Sequence, residues 1–343
     1  GKLVAKDTVE VNGQRYRGKN LVLATGSYAK SLPGLTVDGK QIITSDHAMN
    51  LDYVPRSVIV LGGGVIGCEF ASVWKSFGAE VTIIEALPHL IALEDETSSK
   101  QLERAFRKRG INFELGSKFT GATTSASGVT VNLENGKTFT AEILLVAVGR
   151  GPVSQGLGYE EQGITMDRGY VIVDNKCRTN VPGIWAVGDL IPTLQLAHVG
   201  FQEGILVAEE IAGLNPRPIN YDGVPRVTYS EPEVASVGLT TTAAKAKGHD
   251  VVELNYDLAG NGKAQILKTA GSVKIVAAKN GPVLGIHMVG ARVGELLAEA
   301  QLIFNWEAEA SDVAPLIHAH PTLSEAMGEA HLALAGKPLH AHG

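Results

Sequence analysis

The chain has 343 residues, enough for about two or three domains, and its composition is that of a globular α/β protein with a high content of glycine, 40 residues. The net charge of −6 and the lack of a long basic cluster argue against binding of nucleic acid or of anionic membranes. Apolar runs such as residues 143–148 are too short to span a bilayer. There are only two cysteines, Cys68 and Cys177, which we expect to be buried thiols, and no recognisable signal peptide, so we expect a cytoplasmic protein.

Residues 1–52 predict short strands and turns. The dipeptide Asn12-Gly13 is typical of a β-hairpin turn. The apolar residues 21–24 predict a buried strand, and the small residues Thr25, Gly26 and Ser27 predict a turn at its end. Two prolines within residues 31–56 indicate a connection to the next unit.

A strand–turn–helix pattern at residues 58–71 predicts a dinucleotide site. An apolar run ends at Gly62, and apolar residues at helical spacing follow it. Gly62, Gly64 and Gly67 occupy the three glycine positions of G-x-G-x-x-G. The first permits a tight turn, the second lets the backbone approach a pyrophosphate, and the third lets the helix pack close to the strand. The helix N-terminus then offers N–H groups and a partial positive charge to phosphates.

The next strand predicts which nucleotide the site takes. The apolar residues 81–84 end at Glu85, about 20 residues beyond the glycine motif, where a carboxylate can accept hydrogen bonds from both hydroxyls of a ribose. This carboxylate would repel the 2′-phosphate of NADP, and no arginine follows it closely. We therefore predict an NAD site. The alternative is a βαβ unit with a chance glycine turn and a surface glutamate.

The rest of the chain alternates between strand and helix patterns. Basic residues before Gly110 predict the C-terminal end of a helix over about residues 97–109. The buried strand at residues 184–187 runs into the turn Gly188-Asp189. The remaining predicted strands lie at 113, 129–133, 144–148 and 169–173, and the remaining predicted helices at about 199–212, 294–304 and 323–335.

Six ordered motifs give the chain its resemblance to the pyridine nucleotide-disulfide oxidoreductases, and within them most closely to the dihydrolipoamide dehydrogenases. The resemblance extends over essentially all of the chain, and its motifs are Ala24-Thr25-Gly26, the NAD glycine motif, Val148-Gly149-Arg150, Val187-Gly188-Asp189, Leu196-Ala197-His198 and the run from His318 to Glu325. It implies an α/β fold with FAD/NAD(P)-binding Rossmann-like (ββα three-layer) domains plus a C-terminal α+β dimerisation domain. The predicted segments are residues 1–52 and 153–223 for the FAD-binding domain, 53–152 for the NAD-binding domain, and 224–343 for the interface domain.

Two parts of the family pattern do not occur in this sequence. The family begins with its own FAD-binding glycine motif, followed by a helix that bears a pair of redox cysteines. The chain here opens with Gly1-Lys2-Leu3 and has no initiator methionine. We therefore expect a truncated form of a longer protein, one that retains the NAD site and the acid–base histidine but not turnover.

For NAD, the resemblance implies that the glycine turn holds the pyrophosphate through Gly62, Gly63, Gly64, Val65, Ile66 and Gly67. Glu85 would bind the ribose, and Glu69 would lie near the nicotinamide. Phe119 and Gly149 would contact the adenosine and nicotinamide portions through their backbone. The alternatives are that Glu69 is an exposed helix carboxylate and that Phe119 belongs to the core.

For FAD, the resemblance implies an incomplete site. Thr25, Gly26 and Ser27 match the flavin turn of the family, and Asp189 after Gly188 would bond a ribityl hydroxyl. Leu196, Ala197 and His198 would run along the flavin. A carboxylate at a strand end can instead cap the following turn. Because the glycine motif that grips the FAD pyrophosphate is missing, we expect free FAD to bind poorly.

His320 is the predicted general base. An imidazole titrates near neutral pH and can take a proton from a thiol and return it. Glu325 matches the family glutamate that bonds this imidazole. The run also fits a helix start with Thr322 as the cap and Glu325 at the third helical position, and both interpretations can hold together. The spacing His318-x-His320 falls short of a metal site, so we predict no metal. His340 and His342 are interpreted as part of a tail.

The resemblance also implies partners and leaves alternatives open. The base of the family acts across a two-fold dimer, so we expect a homodimer. In the longer parent, the expected partners are the lipoyl domains of a 2-oxo acid dehydrogenase complex. Glu85 disfavours the NADPH-using relatives, glutathione reductase and mercuric reductase. A soluble transhydrogenase and a non-catalytic NAD-binding, dimerising module remain alternatives.

Overall fold

The computed structural model describes residues 1–340, so His342 lies outside the described residues. The strands are β1 (Lys2–Ala5), β2 (Thr8–Val11), β3 (Gln14–Arg17), β4 (Leu21–Leu23), β5 (Ser27–Ala29), β6 (Ile42–Thr44), β7 (Ser57–Leu61), β8 (Glu80–Ile84), β9 (Ile111–Glu114), β10 (Phe119–Ser125), β11 (Gly128–Leu133), β12 (Thr138–Ala141), β13 (Ile143–Val146), β14 (Arg150–Pro152), β15 (Met166–Asp167), β16 (Tyr170–Val171), β17 (Ile184–Ala186), β18 (Arg226–Thr228), β19 (Glu233–Gly238), β20 (Val251–Asp257), β21 (Ser272–Ala278) and β22 (Val283–Gly290).

The α-helices alternate with these strands in the middle of the chain and cluster near its end. They are α1 (Ser45–Ala48), α2 (Val65–Ser76), α3 (Glu96–Lys108), α4 (Ala197–Ile211), α5 (Thr241–Ala246), α6 (Gly262–Leu267), α7 (Leu297–Asn305), α8 (Ala310–Val313) and α9 (Glu325–Leu334). Within residues 1–340, no helix is both long enough and apolar enough to cross a membrane.

The chain divides into two compact units, each built from two segments. The first unit comprises Gly1–Lys30 and Arg150–Tyr221. It contains the antiparallel sheet β1-β2-β3, the parallel pair β17-β4 and the antiparallel pairs β14-β5 and β15-β16. Apolar residues of β4, β17 and α4 form its core, including Leu23, Ile184 and Leu206. The turn Asn12-Gly13 joins β2 to β3 with a positive φ at both residues, which confirms the predicted hairpin.

The second unit comprises Ser31–Gly149 and the chain from Asp222 onward. Its parallel sheet has the strand order β6-β13-β7-β8-β9, so the first strand of the glycine motif lies in the centre. All five residues of this strand but the first are buried, since parallel strands are covered on both faces. Helix α2 connects β7 to β8, as a parallel pair requires. The three-stranded sheet β10-β11-β12 packs its apolar face against this region.

The C-terminal half of the second unit is an antiparallel sheet of order β18-β19-β22-β21-β20, with helices α7 and α9 packed against it. Strand β22 is buried along its whole length. The chain therefore contains a parallel α/β part and an antiparallel α+β part, which confirms the predicted fold class. The four predicted domain segments remain a prediction.

Most predicted elements are present, with differences in extent. Helix α3 ends at Lys108 and is followed by Gly110 with φ +75°, which confirms the predicted C-cap. The strand predicted at 169–173 is shorter in the structure and comprises only Tyr170–Val171. The predicted helix at 294–304 begins as a 3₁₀ turn, and α7 proper starts at Leu297. His340, which was interpreted as part of a tail, is bound to the fold, because its backbone N–H and its ring both form hydrogen bonds with Glu329.

Candidate functional site: a nucleotide turn, a buried carboxylate and a histidine–glutamate pair

The glycine turn after β7 needs glycine at two positions for steric reasons. Gly62 has φ +109°, and a Cβ atom on it would lie 2.3 Å from the carbonyl oxygen of Ala147. A Cβ atom on Gly67 would lie 1.9 Å from the carbonyl oxygen of Gly62. The first contact is between the turn and the residue that follows β13, and the second belongs to the packing of α2 on β7. The positive φ at Gly62 and the close approach at Gly67 are consistent with the tight-turn and close-packing roles predicted for them.

Gly64 is different, because nothing in the protein requires it to be glycine. Its φ is −73°, and a Cβ atom on it would have no heavy atom within 4 Å. It is the N-cap of α2, and no side chain caps the helix there. The free N–H groups of the first helical turn, including those of Val65 and Ile66, thus border open space. This arrangement suits an anionic pyrophosphate, which would fill the space left by the missing side chain.

Glu85 is fixed beside this turn. Its Oε2 atom accepts the N–H of Gly63 at 2.5 Å, and its Oε1 atom accepts the N–H of Leu87 at 2.8 Å. The carbonyl of Gly63 in turn accepts the N–H of Ile91 at 2.7 Å and the thiol of Cys68 at 3.3 Å. A carboxylate has about four lone-pair sites, so Glu85 can still accept two ribose hydroxyls. The donors and acceptors present therefore fit the adenosine end of NAD.

Glu69, Phe119 and Gly149 are the other residues predicted to contact NAD. Glu69 accepts the backbone N–H of Tyr229 at 2.8 Å; burial raises the pKa of this carboxyl, and the Tyr229 N–H opposes the rise. Phe119 is half-buried and packs against the apolar cluster beneath the parallel sheet. Gly149 has φ +105° and open space around its missing Cβ atom. Their contacts with a nucleotide remain predictions.

In the first unit, the residues predicted for FAD form a bonded group. The hydroxyl of Ser27 donates to Oδ2 of Asp189 at 2.5 Å and accepts from Nε of Arg150 at 2.6 Å. Thr25 donates to the carbonyl of Val153. Gly26 and Gly188 have φ +72° and +70°, with no heavy atom within 4 Å of a would-be Cβ atom. The two turns thus leave room for a ligand, and Asp189 supplies a carboxylate beside them.

The second predicted flavin segment begins helix α4. Leu196 is its N-cap, and Ala197 and His198 are its first residues. One turn further, Glu203 is completely buried and accepts the backbone N–H of Gly188 at 2.6 Å. Glu203 was not among the predicted residues, because nothing in the sequence separates it from Glu209 and Glu210 of the same helix. Only the fold shows that it faces the Gly188 turn.

His320 and Glu325 lie together in the second unit. Nδ1 of His320 is 2.8 Å from Oε1 of Glu325, and the His320 side chain is 77% exposed. Oε2 of Glu325 accepts the N–H of Thr322 at 2.8 Å, and the Thr322 hydroxyl accepts the N–H of Glu325 at 3.3 Å. These reciprocal bonds are those of the predicted cap, although α9 starts at Glu325 itself. Glu325 thus both starts the helix and holds the imidazole.

Neither cysteine is available for disulfide chemistry within the described residues. Cys68 and Cys177 are both buried and unpaired. Burial raises the pKa of the Cys68 thiol. Burial, together with the charges of Glu203 and Asp174, raises the pKa of the Cys177 thiol to about 12. The predicted burial of both cysteines is confirmed, and both groups are protonated, unreactive thiols at neutral pH.

Two family models cover most of the chain. Residues 1–204 match the pyridine nucleotide-disulphide oxidoreductase model, and residues 224–331 match the dimerisation domain of the same enzymes. The chain belongs to this family. Enzymes of this family use FAD and NAD, in accordance with the predicted cofactors.

Relatives and solved structures agree with this assignment. The chain is 42% identical to a dihydrolipoyl dehydrogenase of Bacillus subtilis, over 94% of this chain and 69% of the relative. It is 41% identical to a mitochondrial dihydrolipoyl dehydrogenase of Schizosaccharomyces pombe, over 99% of this chain and 69% of the relative. The crystal structure of LpdA from Mycobacterium tuberculosis superposes with a TM-score of 0.88 at 28% identity, over 95% of this chain and 72% of that one. Both of these relatives are dihydrolipoyl dehydrogenases, which are one group of enzymes within the oxidoreductase family.

Proposed function

We propose that this oxidoreductase chain binds NAD⁺ and supplies the acid–base residue for the oxidation of protein-bound dihydrolipoamide. The observation that carries the proposal is the open position at Gly64, on an uncapped helix N-terminus beside Glu85. An anionic pyrophosphate fits the first feature and a ribose diol fits the second. The names of the relatives supply the substrate class.

Selection of NAD over NADP would come from Glu85. Its two oxygens are oriented by the N–H groups of Gly63 and Leu87, so the carboxylate cannot turn away from the ribose without losing both bonds. A 2′-phosphate would bring a second negative charge against it. Two hydroxyls would instead donate to it. NAD⁺ should therefore bind more tightly than NADP⁺.

The acid–base step would use the exposed nitrogen of His320. Glu325 occupies Nδ1, which leaves Nε2 as the nitrogen that meets a substrate. A neutral Nε2 can take the proton of a dithiol and thereby make the thiolate nucleophile, and the imidazolium so formed is stabilised by the Glu325 carboxylate. The thiolate would then attack a redox disulfide of the kind that the family carries, which Cys68 and Cys177 do not supply, and the disulfide would be reduced as the dithiol is oxidised. FAD and NAD⁺, when bound, supply the electron and hydride transfer that follows. The role of the chain is to bind, to orient and to move this proton.

The same proposal includes a homodimer that serves lipoyl domains of a 2-oxo acid dehydrogenase complex. It is supported by the match to the dimerisation domain and by large apolar side chains exposed near His320 in the sequence. Ile317 is 98% exposed and Trp306 is 76% exposed. A second copy would cover such a surface. Sedimentation at micromolar concentration should give a dimer, and a monomer would contradict this part.

For the chain by itself we propose binding without turnover. Cys68 and Cys177 are buried thiols, so neither offers the disulfide that dihydrolipoamide would reduce. Absorbance at 340 nm should show no dihydrolipoamide-dependent NADH formation, with or without added FAD. Formation of NADH would contradict the loss of turnover.

The nucleotide preference tests the proposal most simply. The chain is titrated with NAD⁺ and with NADP⁺ by calorimetry, as wild type and as Glu85→Gln. We expect wild type to prefer NAD⁺ by at least about tenfold and Glu85→Gln to lose most of that preference, since a neutral amide does not repel a phosphate. A wild-type preference for NADP⁺ would refute the role of Glu85.

A further inference from the structure

Glu203 is a buried carboxylate to which neither the sequence motifs nor the proposed reaction gives a task. It lies in α4 with no exposed surface. An ionisable group buried to this degree is retained only when other groups satisfy it, because an unpaired buried charge is costly. The three groups that satisfy Glu203 indicate its role.

All three partners of Glu203 are hydrogen-bond donors. Oε2 accepts the backbone N–H of Gly188 at 2.6 Å. Oε1 accepts the hydroxyl of Thr193 at 2.8 Å and the hydroxyl of Tyr221 at 2.9 Å. Since a carboxylate is an acceptor only, this set of partners matches its ionised form. Burial and the Glu203 charge also raise the pKa of the Tyr221 hydroxyl, which keeps this group a donor.

Two of these partners lie on or between the segments predicted to contact the flavin. Gly188 immediately precedes Asp189, and Thr193 lies in the connection that leads to Leu196 at the start of α4. Gly188 has φ +70°. Because glycine has no side chain to restrict its backbone, hydrogen bonds from neighbouring groups must keep the turn in this shape. One side chain thus ties together the turn that presents Asp189 and the segment that starts the helix.

We propose that Glu203 is a positioning residue of the flavin-side half-site, which holds the Gly188-Asp189 turn in place through the Gly188 N–H. This inference rests on the proposed function for its connection to FAD. It assigns Glu203 no contact with the cofactor. Charge-assisted hydrogen bonds are about twice as strong as neutral ones. Removing the charge of Glu203 should therefore loosen the Gly188-Asp189 turn while the first unit stays folded.

The test measures the turn directly and needs no flavin. Amide hydrogen exchange at Gly188 is followed by NMR in the full chain, as wild type, Glu203→Gln and Glu209→Gln. The second variant removes the same charge from the same helix. We expect exchange at Gly188 to become at least about tenfold faster in Glu203→Gln and to stay within about twofold of wild type in Glu209→Gln. Unchanged exchange in Glu203→Gln would overturn the inference.

Tyr221→Phe separates positioning from general stability. It removes one donor to Oε1 and leaves Oε2 with its Gly188 bond. We expect a lower melting temperature with Gly188 exchange close to wild type. If Gly188 exchange accelerates as much as in Glu203→Gln, the buried network acts as a whole and the specific role of Glu203 is refuted. If Glu203→Gln does not fold, an acceleration of at least about tenfold at Gly188 in Tyr221→Phe refutes the specific role in the same way.

A titration of the same proteins with FAD connects the turn to the ligand. We expect FAD to bind Glu203→Gln about tenfold more weakly than wild type and Tyr221→Phe nearly as well as wild type. If wild type binds no FAD even at high concentration, the proposed flavin half-site fails, whereas the exchange data still decide whether Glu203 holds the turn. Equal FAD affinity of wild type and Glu203→Gln would contradict the inference.

Discussion

The carboxylate of Glu325 binds two groups at once: Nδ1 of His320 lies 2.8 Å from one oxygen, and the N–H of Thr322 lies 2.8 Å from the other. The histidine ring is therefore held by a group that is itself fixed by the backbone at the start of α9. This is how a mostly exposed imidazole keeps one orientation. The His320 ring also helps to lower the pKa of the Glu325 carboxyl.

Replacing His320 should change the titration of Glu325. Burial alone would raise the pKa of the Glu325 carboxyl, but the Thr322 N–H and the His320 ring together hold it below its ordinary value of 4.5. In His320→Ala we expect this pKa to rise while remaining lowered in part by Thr322. Carboxyl ¹³C NMR against pH measures it, with His249→Ala as the control. An unchanged Glu325 titration would show that the pair does not form in solution.

The sign of the stability effect follows from this direction. The folded-state pKa of Glu325 lies below that of the unfolded chain, so the stabilisation is present above pH about 4.5 and is lost as the pH falls through the folded pKa. His320→Ala should therefore flatten the pH dependence of unfolding below pH 4.5. The exposed control His249→Ala should leave it unchanged.

His331 should make the second unit sensitive to mild acid. Burial lowers the pKa of this ring to about 4, against an ordinary value of 6.5. The folded state therefore keeps it neutral where the unfolded chain binds a proton, so its contribution is present above pH 6.5 and is lost as the pH falls towards 4. The loss from pH 7 to pH 5 should be about 2 kcal/mol in the free energy of unfolding by urea.

The variant His331→Gln tests this assignment. If it folds, its unfolding free energy should depend less steeply on pH between 7 and 5 than that of wild type. His249→Gln, an exposed position, should retain the wild-type slope. The same slope in His331→Gln and wild type would rule out His331 as the origin.

Cys177 should be inert towards thiol reagents at pH 8 while the chain is folded. Burial, with the charges of Glu203 and Asp174, raises its pKa to about 12, so almost none of it is thiolate at pH 8. Its stabilising contribution is present below the pKa of an unfolded cysteine and is lost as the pH rises towards 12. We expect no rapid reaction with a chromogenic disulfide in buffer and reaction of both cysteines in denaturant. A fast-reacting thiol in the native chain would contradict the burial.

Short-range features of this chain were predictable from the sequence. Glycine at 67 is required by a contact with Gly62 within one strand–turn–helix unit, and the hairpin at Asn12-Gly13 needs only its own two positive φ angles. The bond from Glu325 to His320 spans five residues. In each case, the physical reason lies within the segment itself.

Features that depend on distant segments were not predictable. The amine of Lys274 lies 2.9 Å from the carboxylate of Asp95, 179 residues away, and both are buried. The guanidinium of Arg109, which we interpreted only as part of a helix end, also bonds Ser72 and the carbonyl of Glu231. Local sequence shows that such a residue is polar, and the fold alone decides which partner satisfies it.

A nucleotide site at the glycine turn predicts that Gly64→Ala binds NAD⁺ weakly. A Cβ atom at Gly64 meets no protein atom, so the variant should fold like wild type and yet occupy the space assigned to the pyrophosphate. Gly121→Ala, where a Cβ atom likewise has no heavy atom within 4 Å, is the matched control. By calorimetry we expect wild type and Gly121→Ala to bind NAD⁺ equally and Gly64→Ala to bind at least about tenfold more weakly. Equal affinity of all three proteins, or no binding by wild type, would contradict an NAD site at the glycine turn.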